Sequence, residues 1–118
     1  MSVVCIVDDD ASLRRSLRNL LTSEGFCVRV FDSAEAFLEE VEVDVGCAVI
    51  DVRMAGMSGV ELLRHLTATG SGIPVVVLSA HGDDATRRQS LEAGAVAFLE
   101  KPAPAPALLD AIRRAVAR

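Results

Sequence analysis

Four places in this chain of 118 residues carry side chains that could act together on one ligand: the run Asp8-Asp9-Asp10, the carboxylate Asp51, the hydroxyl of Ser79 and the ammonium of Lys101. Each follows a short apolar run: Val3-Val4-Cys5-Ile6-Val7, Gly46-Cys47-Ala48-Val49-Ile50, Pro74-Val75-Val76-Val77-Leu78 and Val96-Ala97-Phe98-Leu99. Such runs read as buried strands, so these residues belong where strands leave the core. In an open α/β sheet that edge is where ligands bind. Taken singly, each residue has a plainer reading. Acids open turns and cap helices, as Asp10 is expected to do, and a lone serine or lysine there is ordinary surface. Taken jointly, a carboxylate nucleophile, further acids for a hard cation, an ammonium and a hydroxyl are what a phosphoryl group with three charged oxygens requires.

The elements that must position them alternate along the chain. After Val3–Val7, Leu13, Leu17, Leu20 and Leu21 recur at helical spacing with Arg14, Arg15 and Arg18 expected on the opposite, solvated face, and Gly25 closes the helix. Cys27–Phe31 reads as a second strand, and Asp32-Ser33 as the N-cap of a helix carrying Ala36, Phe37, Leu38 and Val41. The third strand ends at Asp51. Ser58 and Glu61 have capping-box spacing ahead of Val60, Leu62, Leu63 and Leu66, with Gly70 and Gly72 beyond. Pro74–Ser79 is the fourth strand, and Asp83 or Asp84 caps a polar helix reaching about Ala93, before Gly94. Val96–Leu99 is the fifth strand. The last helix places Leu108, Leu109, Ile112, Ala115 and Val116 on one face, with Pro104 and Pro106 at or before its first turn.

Five strands alternating with five helices predict an α/β fold, a flavodoxin-like (βα)5 doubly wound parallel sheet of strand order 2-1-3-4-5. In that order strands one, three, four and five are neighbours. At about 4.8 Å between strands, the first and third bring their carboxylates within roughly 5 Å, and the fifth lies about 10 Å from the third, a gap much of which an extended lysine covers. Carboxylates so close repel by about 3 kcal/mol per pair at an effective dielectric near 20, so a cation is expected among them. An oxygen-rich, incomplete cage suits Mg²⁺ better than zinc, with Mn²⁺ as a substitute.

Size and composition narrow the class. A chain of this length is one domain, able to bury about two-thirds of its unfolded surface without disulfides. A hydrophobic share of 51%, with 25% charged residues, is globular composition. The net charge of −5 argues against direct binding of nucleic acid. The apolar runs are too short to span a bilayer and no leader opens the chain, so a cytoplasmic protein is expected. Cys5, Cys27 and Cys47 all fall in strands without paired spacing and are expected to be buried thiols.

The motifs Val4-Cys5-Ile6-Val7-Asp8-Asp9-Asp10, Val49-Ile50-Asp51-Val52-Arg53-Met54, Met57-Ser58-Gly59 and Leu99-Glu100-Lys101-Pro102 are similar to those of the receiver domain of two-component response regulators. The resemblance covers essentially the whole chain, residues 1–118 as one receiver domain, with no output domain in this chain. Ser33-Ala34-Glu35-Ala36-Phe37-Leu38, Leu78-Ser79-Ala80-His81-Gly82-Asp83 and Ala93-Gly94-Ala95-Val96-Ala97-Phe98 look most like the FixJ type, whose members usually carry a helix-turn-helix DNA-binding domain after the receiver.

The resemblance implies that Asp51 is the phosphoacceptor for a sensor histidine kinase, forming an aspartyl phosphate. It implies that Mg²⁺ is held by Asp9, Asp51 and the backbone carbonyl of Arg53, with Asp8 acting through water, and that Ser79 and Lys101 hold the phosphoryl oxygens. The Lys101-Pro102 peptide is cis in the family. Phe98 takes the aromatic switch position, its inward rotation coupled to movement of Ser79 and remodelling the surface of helix 4, strand 5 and helix 5, where a homodimer is also expected. Such a domain is not an enzyme for an external substrate, and it reaches DNA only through a C-terminal output domain. It has no membrane role. This chain departs from the family pattern in Ala55 for the usual proline, Ser79 for threonine, Phe98 for tyrosine, and Ala103, Pro104 and Pro106 at the start of the last helix.

Two other readings share part of the pattern. A haloacid-dehalogenase-like phosphatase also has a strand-end aspartate with a serine or threonine and a lysine, but needs a second acid two residues on, where this chain has Arg53. An interaction module of the same fold, indifferent to phosphorylation, would have little reason to keep clustered acids. Release of phosphate from a simple phosphoester would single out the first, and absence of Mg²⁺ binding and of acetyl phosphate labelling the second.

Overall fold

Successive residues of the central strands point to opposite faces of the sheet, and both faces are covered. Val4, Ile6, Cys47, Val49, Val76 and Leu78 pack on one side with Leu17, Leu21, Leu108, Leu109 and Ile112. Cys5, Val7, Ala48, Ile50, Val75 and Val77 pack on the other with Phe37, Leu62, Leu63 and Leu66. This two-sided burial explains why these strands are uniformly apolar rather than alternating. The computed structural model describes residues 3–40, 45–80 and 83–117.

The elements are β1 (Val3–Val7), α1 (Ala11–Ser23), β2 (Cys27–Phe31), α2 (Ala34–Glu40), β3 (Val45–Asp51), α3 (Gly59–Ala68), β4 (Val75–Ser79), α4 (Asp84–Glu92), β5 (Ala97–Glu100) and α5 (Ala105–Val116). All pairings are parallel and the order is β2-β1-β3-β4-β5, the expected flavodoxin-like arrangement. Helix starts follow their side-chain caps. Asp10 accepts from the N–H groups of Ser12 and Leu13, Ser33 from Ala36, and Asp83 from Thr86. Ser58 and Glu61 form the reciprocal capping box. Pro106 falls within the first turn of α5, where its missing N–H is not needed.

Several expectations shift. β4 starts at Val75, because Pro74 has no N–H for the ladder, although its carbonyl accepts from Ala48. β5 is displaced one residue, to Ala97–Glu100, while Val96 still donates to Val75. Cys5 and Cys47 are buried, but Cys27 is exposed because it opens β2, the edge strand. Arg14 does not share the solvated face of Arg15 and Arg18. Its Nη1 donates to the carbonyl of Asp8 at 2.7 Å, since the first turn of α1 stands directly over the exit of β1. Val41 lies outside the described residues, as do His81 and Gly82. Among the described residues no helix is long and apolar enough to cross a membrane.

Candidate functional site

The carboxyl ends of β1, β3, β4 and β5 meet at one edge of the sheet. Asp51 is the last residue of β3, and Asp8 follows β1 directly; both are buried. Asp9, next along, is exposed. One carboxylate oxygen from each of Asp8, Asp9 and Asp51 lies within 4.8 Å of the others. Lys101, just past β5, reaches back across β4 so that its Nζ is 2.9 Å from Asp8 Oδ2 and 3.0 Å from Asp51 Oδ1.

Local hydrogen bonds fix these groups. Asp8 Oδ1 accepts from the N–H of Asp10 at 2.9 Å, so both its oxygens are engaged, and Arg14 holds its carbonyl. Asp51 is held from behind. Val52 donates to Leu78 at 3.0 Å, and Gly59 at the start of α3 donates to Val52 at 2.9 Å. Gly59 allows an unusually close approach, because a Cβ there would collide with the carbonyl oxygen of Asp51. Ser79 ends β4, is buried, and accepts through its backbone carbonyl from the N–H of Lys101 at 2.8 Å. The Lys101-Pro102 peptide is cis.

Burial pushes the Asp51 carboxyl above its usual range; the hydrogen bond from Lys101 pulls it back, and the charges of Asp8 and Asp9 push it up again. For Lys101 burial alone would lower the ammonium, but its bonds to Asp8 and Asp51 outweigh this and raise it. One ammonium against three carboxylates leaves the edge net negative. The donor set is oxygen only and open to solvent through Asp9, which fits a hard divalent cation such as Mg²⁺.

The remaining predicted residues stand further out. Arg53 lies two residues beyond Asp51 and is exposed. Phe98, in β5, has its ring buried in the core, with the guanidinium of Arg87 in α4 at 5.9 Å from the ring centroid. Three contacts at or near this edge were not assigned from the sequence: Arg14 donating to the Asp8 carbonyl, Glu35 accepting from Met57, and Gly59 against Asp51. Glu35 and Gly59 lay inside quoted motifs, but their spacing carried no sign of these contacts.

A family model described as "Response regulator receiver domain" matches residues 4–113. The chain is 46% identical over 113 residues to the transcriptional regulatory protein FixJ of Rhizobium meliloti, covering 95% of this chain and 55% of that protein. Among solved structures, the response regulator StyR is 49% identical with a TM-score of 0.91, over 98% of this chain and 59% of that one. The crystal structure of FixJ-N is 41% identical with a TM-score of 0.90, over 100% of this chain and 95% of that one. The chain spans about half the length of the curated relatives it matches.

Proposed function

This chain belongs to the response regulator receiver family, and from that premise we propose that it is a phosphorylation-controlled switch whose phosphoacceptor is Asp51. One observation carries the proposal: Lys101 Nζ bridges Asp8 and Asp51 while a third acid, Asp9, lies within 4.8 Å. A carboxylate oxygen of Asp51 attacks the phosphorus of a phosphohistidine on a partner kinase. The new P–O bond forms as the P–N bond breaks, and its electron pair leaves with the imidazole. Lys101 offsets the charge on the phosphoryl oxygens and Ser79 supplies a hydroxyl donor. Hydrolysis by water returns the Asp51 carboxylate and phosphate.

Asp9, Asp51 and the carbonyl of Arg53 would hold Mg²⁺, or Mn²⁺ in its place, with Asp8 acting through water. Bound there, the cation neutralises charge that builds on the phosphoryl oxygens. Burial of Asp51 keeps competing water low around the nucleophile. Ser79 and Phe98 then carry the change to the surface of α4, β5 and α5, which pairs with a second copy or an output domain.

The domain acts in the cytoplasm and touches DNA only through a C-terminal output domain, a reading supported by a relative named as a transcriptional regulatory protein. Acetyl phosphate with Mg²⁺ tests this. Intact mass is expected to rise by one phosphoryl group, with no rise in Asp51→Asn. Labelling that persists in that variant, or steady turnover of a simple phosphoester, would overturn the proposal.

A further inference from the structure

The loop of residues 52–58 joins Asp51 to α3, and both its ends are pinned. Val52 donates to Leu78, and Ser58 sits in the capping box of α3. Between these ends, a carboxylate from another element closes on the loop. Glu35, in the first turn of α2 and 22 residues away in sequence, accepts from the N–H of Met57 through Oε2 at 3.0 Å. The same oxygen lies 2.7 Å from where a Cβ on residue 56 would be, a position occupied by Gly56 at φ +77°. Glycine is favoured there for its backbone angle, and a side chain would push the carboxylate off its place on the loop.

An acid in the first turn of a helix is common, because the helix dipole favours it. A merely favourable acid would face water over its own helix end, whereas Glu35 is directed at a different loop. Met57 and Glu35's own N–H hold its carboxyl below the usual carboxylate range. The acceptor is thus ionised at neutral pH, where the bond is charge-assisted.

Resting on the function proposed above, we infer that Glu35 is a positioning residue for metal binding, clasping the loop that runs from Asp51 through Arg53 to α3. Its role is to order that loop beforehand. Without the clasp, the ordering falls on the binding step and weakens affinity, with no change in chemistry once the metal is bound.

The test compares wild type, Glu35→Ala and Glu35→Gln by Mg²⁺ titration followed by NMR, amide exchange at Met57 in metal-free protein, urea midpoints, and acetyl phosphate labelling against Mg²⁺ concentration. Glu35→Ala is expected to raise the Mg²⁺ dissociation constant about threefold to tenfold, the range of one hydrogen bond. Its Met57 amide should exchange faster, while the labelling rate at saturating Mg²⁺ stays that of wild type. Glu35→Gln, which keeps an acceptor oxygen, should restore the affinity. Wild-type Mg²⁺ affinity in Glu35→Ala overturns the inference. Equal impairment in Glu35→Gln also overturns it, because charge rather than the bond to Met57 would then set the affinity. Wild-type protein that neither binds Mg²⁺ nor takes the label instead overturns the function on which the inference rests.

Discussion

Ile50 and Asp51 are neighbours on one strand, and both are buried, yet they face opposite physical problems. Ile50 is fully enclosed among Val7, Leu62 and Val77, where removal from water is favourable. Asp51 carries a charge into a site that water would solvate better, and it is tolerated there through one ammonium and a rigid frame. The same division runs along β1 from Val7 to Asp8 and along β4 from Leu78 to Ser79. Stability resides in the bodies of the strands, and buried charge is set at their carboxyl ends, where it works against stability.

The largest effect expected from testing this division is in the strand body. Ile50→Ala should cost about 3 kcal/mol in urea unfolding, through lost burial and the cavity left behind. Gly59→Ala comes next, at about 2 kcal/mol, because its methyl would meet the Asp51 carbonyl rather than a pliable side chain. Gly70, whose surroundings are open, has a φ of +68°, so any loss in Gly70→Ala would reflect its backbone angle alone and not a clash.

Asp51→Asn should change sign. With its carboxyl raised in the folded state, wild-type Asp51 favours folding below the ordinary carboxylate pKa, and that contribution is lost as pH rises through the folded value. In chelator at neutral pH the asparagine variant should therefore be more stable by about 1 kcal/mol, the scale of one favourable charge change. Acid should erase the difference, and added Mg²⁺ should stabilise wild type alone. A destabilised asparagine variant would show that the bond to Lys101 outweighs the cost of burial.

The smallest effect separates strand body from sheet edge without altering stability. In native protein iodoacetamide should modify Cys27 and spare Cys5 and Cys47, since burial pushes the Cys47 thiol up to about 12 and closes off access. Peptide mapping after brief exposure reads this directly.

The alternation of apolar runs and capped helices was enough for the fold, because capping and burial in parallel strands are written in adjacent residues, as in Ser58 with Glu61. Much of the site was legible for a related reason. Parallel strands deliver their final residues to one edge, so Asp8, Asp51, Ser79 and Lys101 converge once the strand order is known. Contacts set by the curvature of the assembled chain were not legible. Helical spacing assigned Arg14 to a face but could not say that the Asp8 carbonyl lay beneath it. The match of Glu35 with Gly56 and Met57 joins segments 22 residues apart and leaves no local trace. Cys27 sits in a strand like the other two cysteines, and its place at the start of the edge strand exposes it.

Lys101 meets Asp8 and Asp51 with its side chain and Ser79 with its main chain, so a single residue closes a ring around the ends of four strands. Energies within such a ring do not sum. Replacing any one member strands the charge or dipole of another, and pairs of replacements will deviate from the total of the singles. No isolated figure therefore belongs to Asp8, Asp51 or Lys101; what can be assigned is the coupling between them.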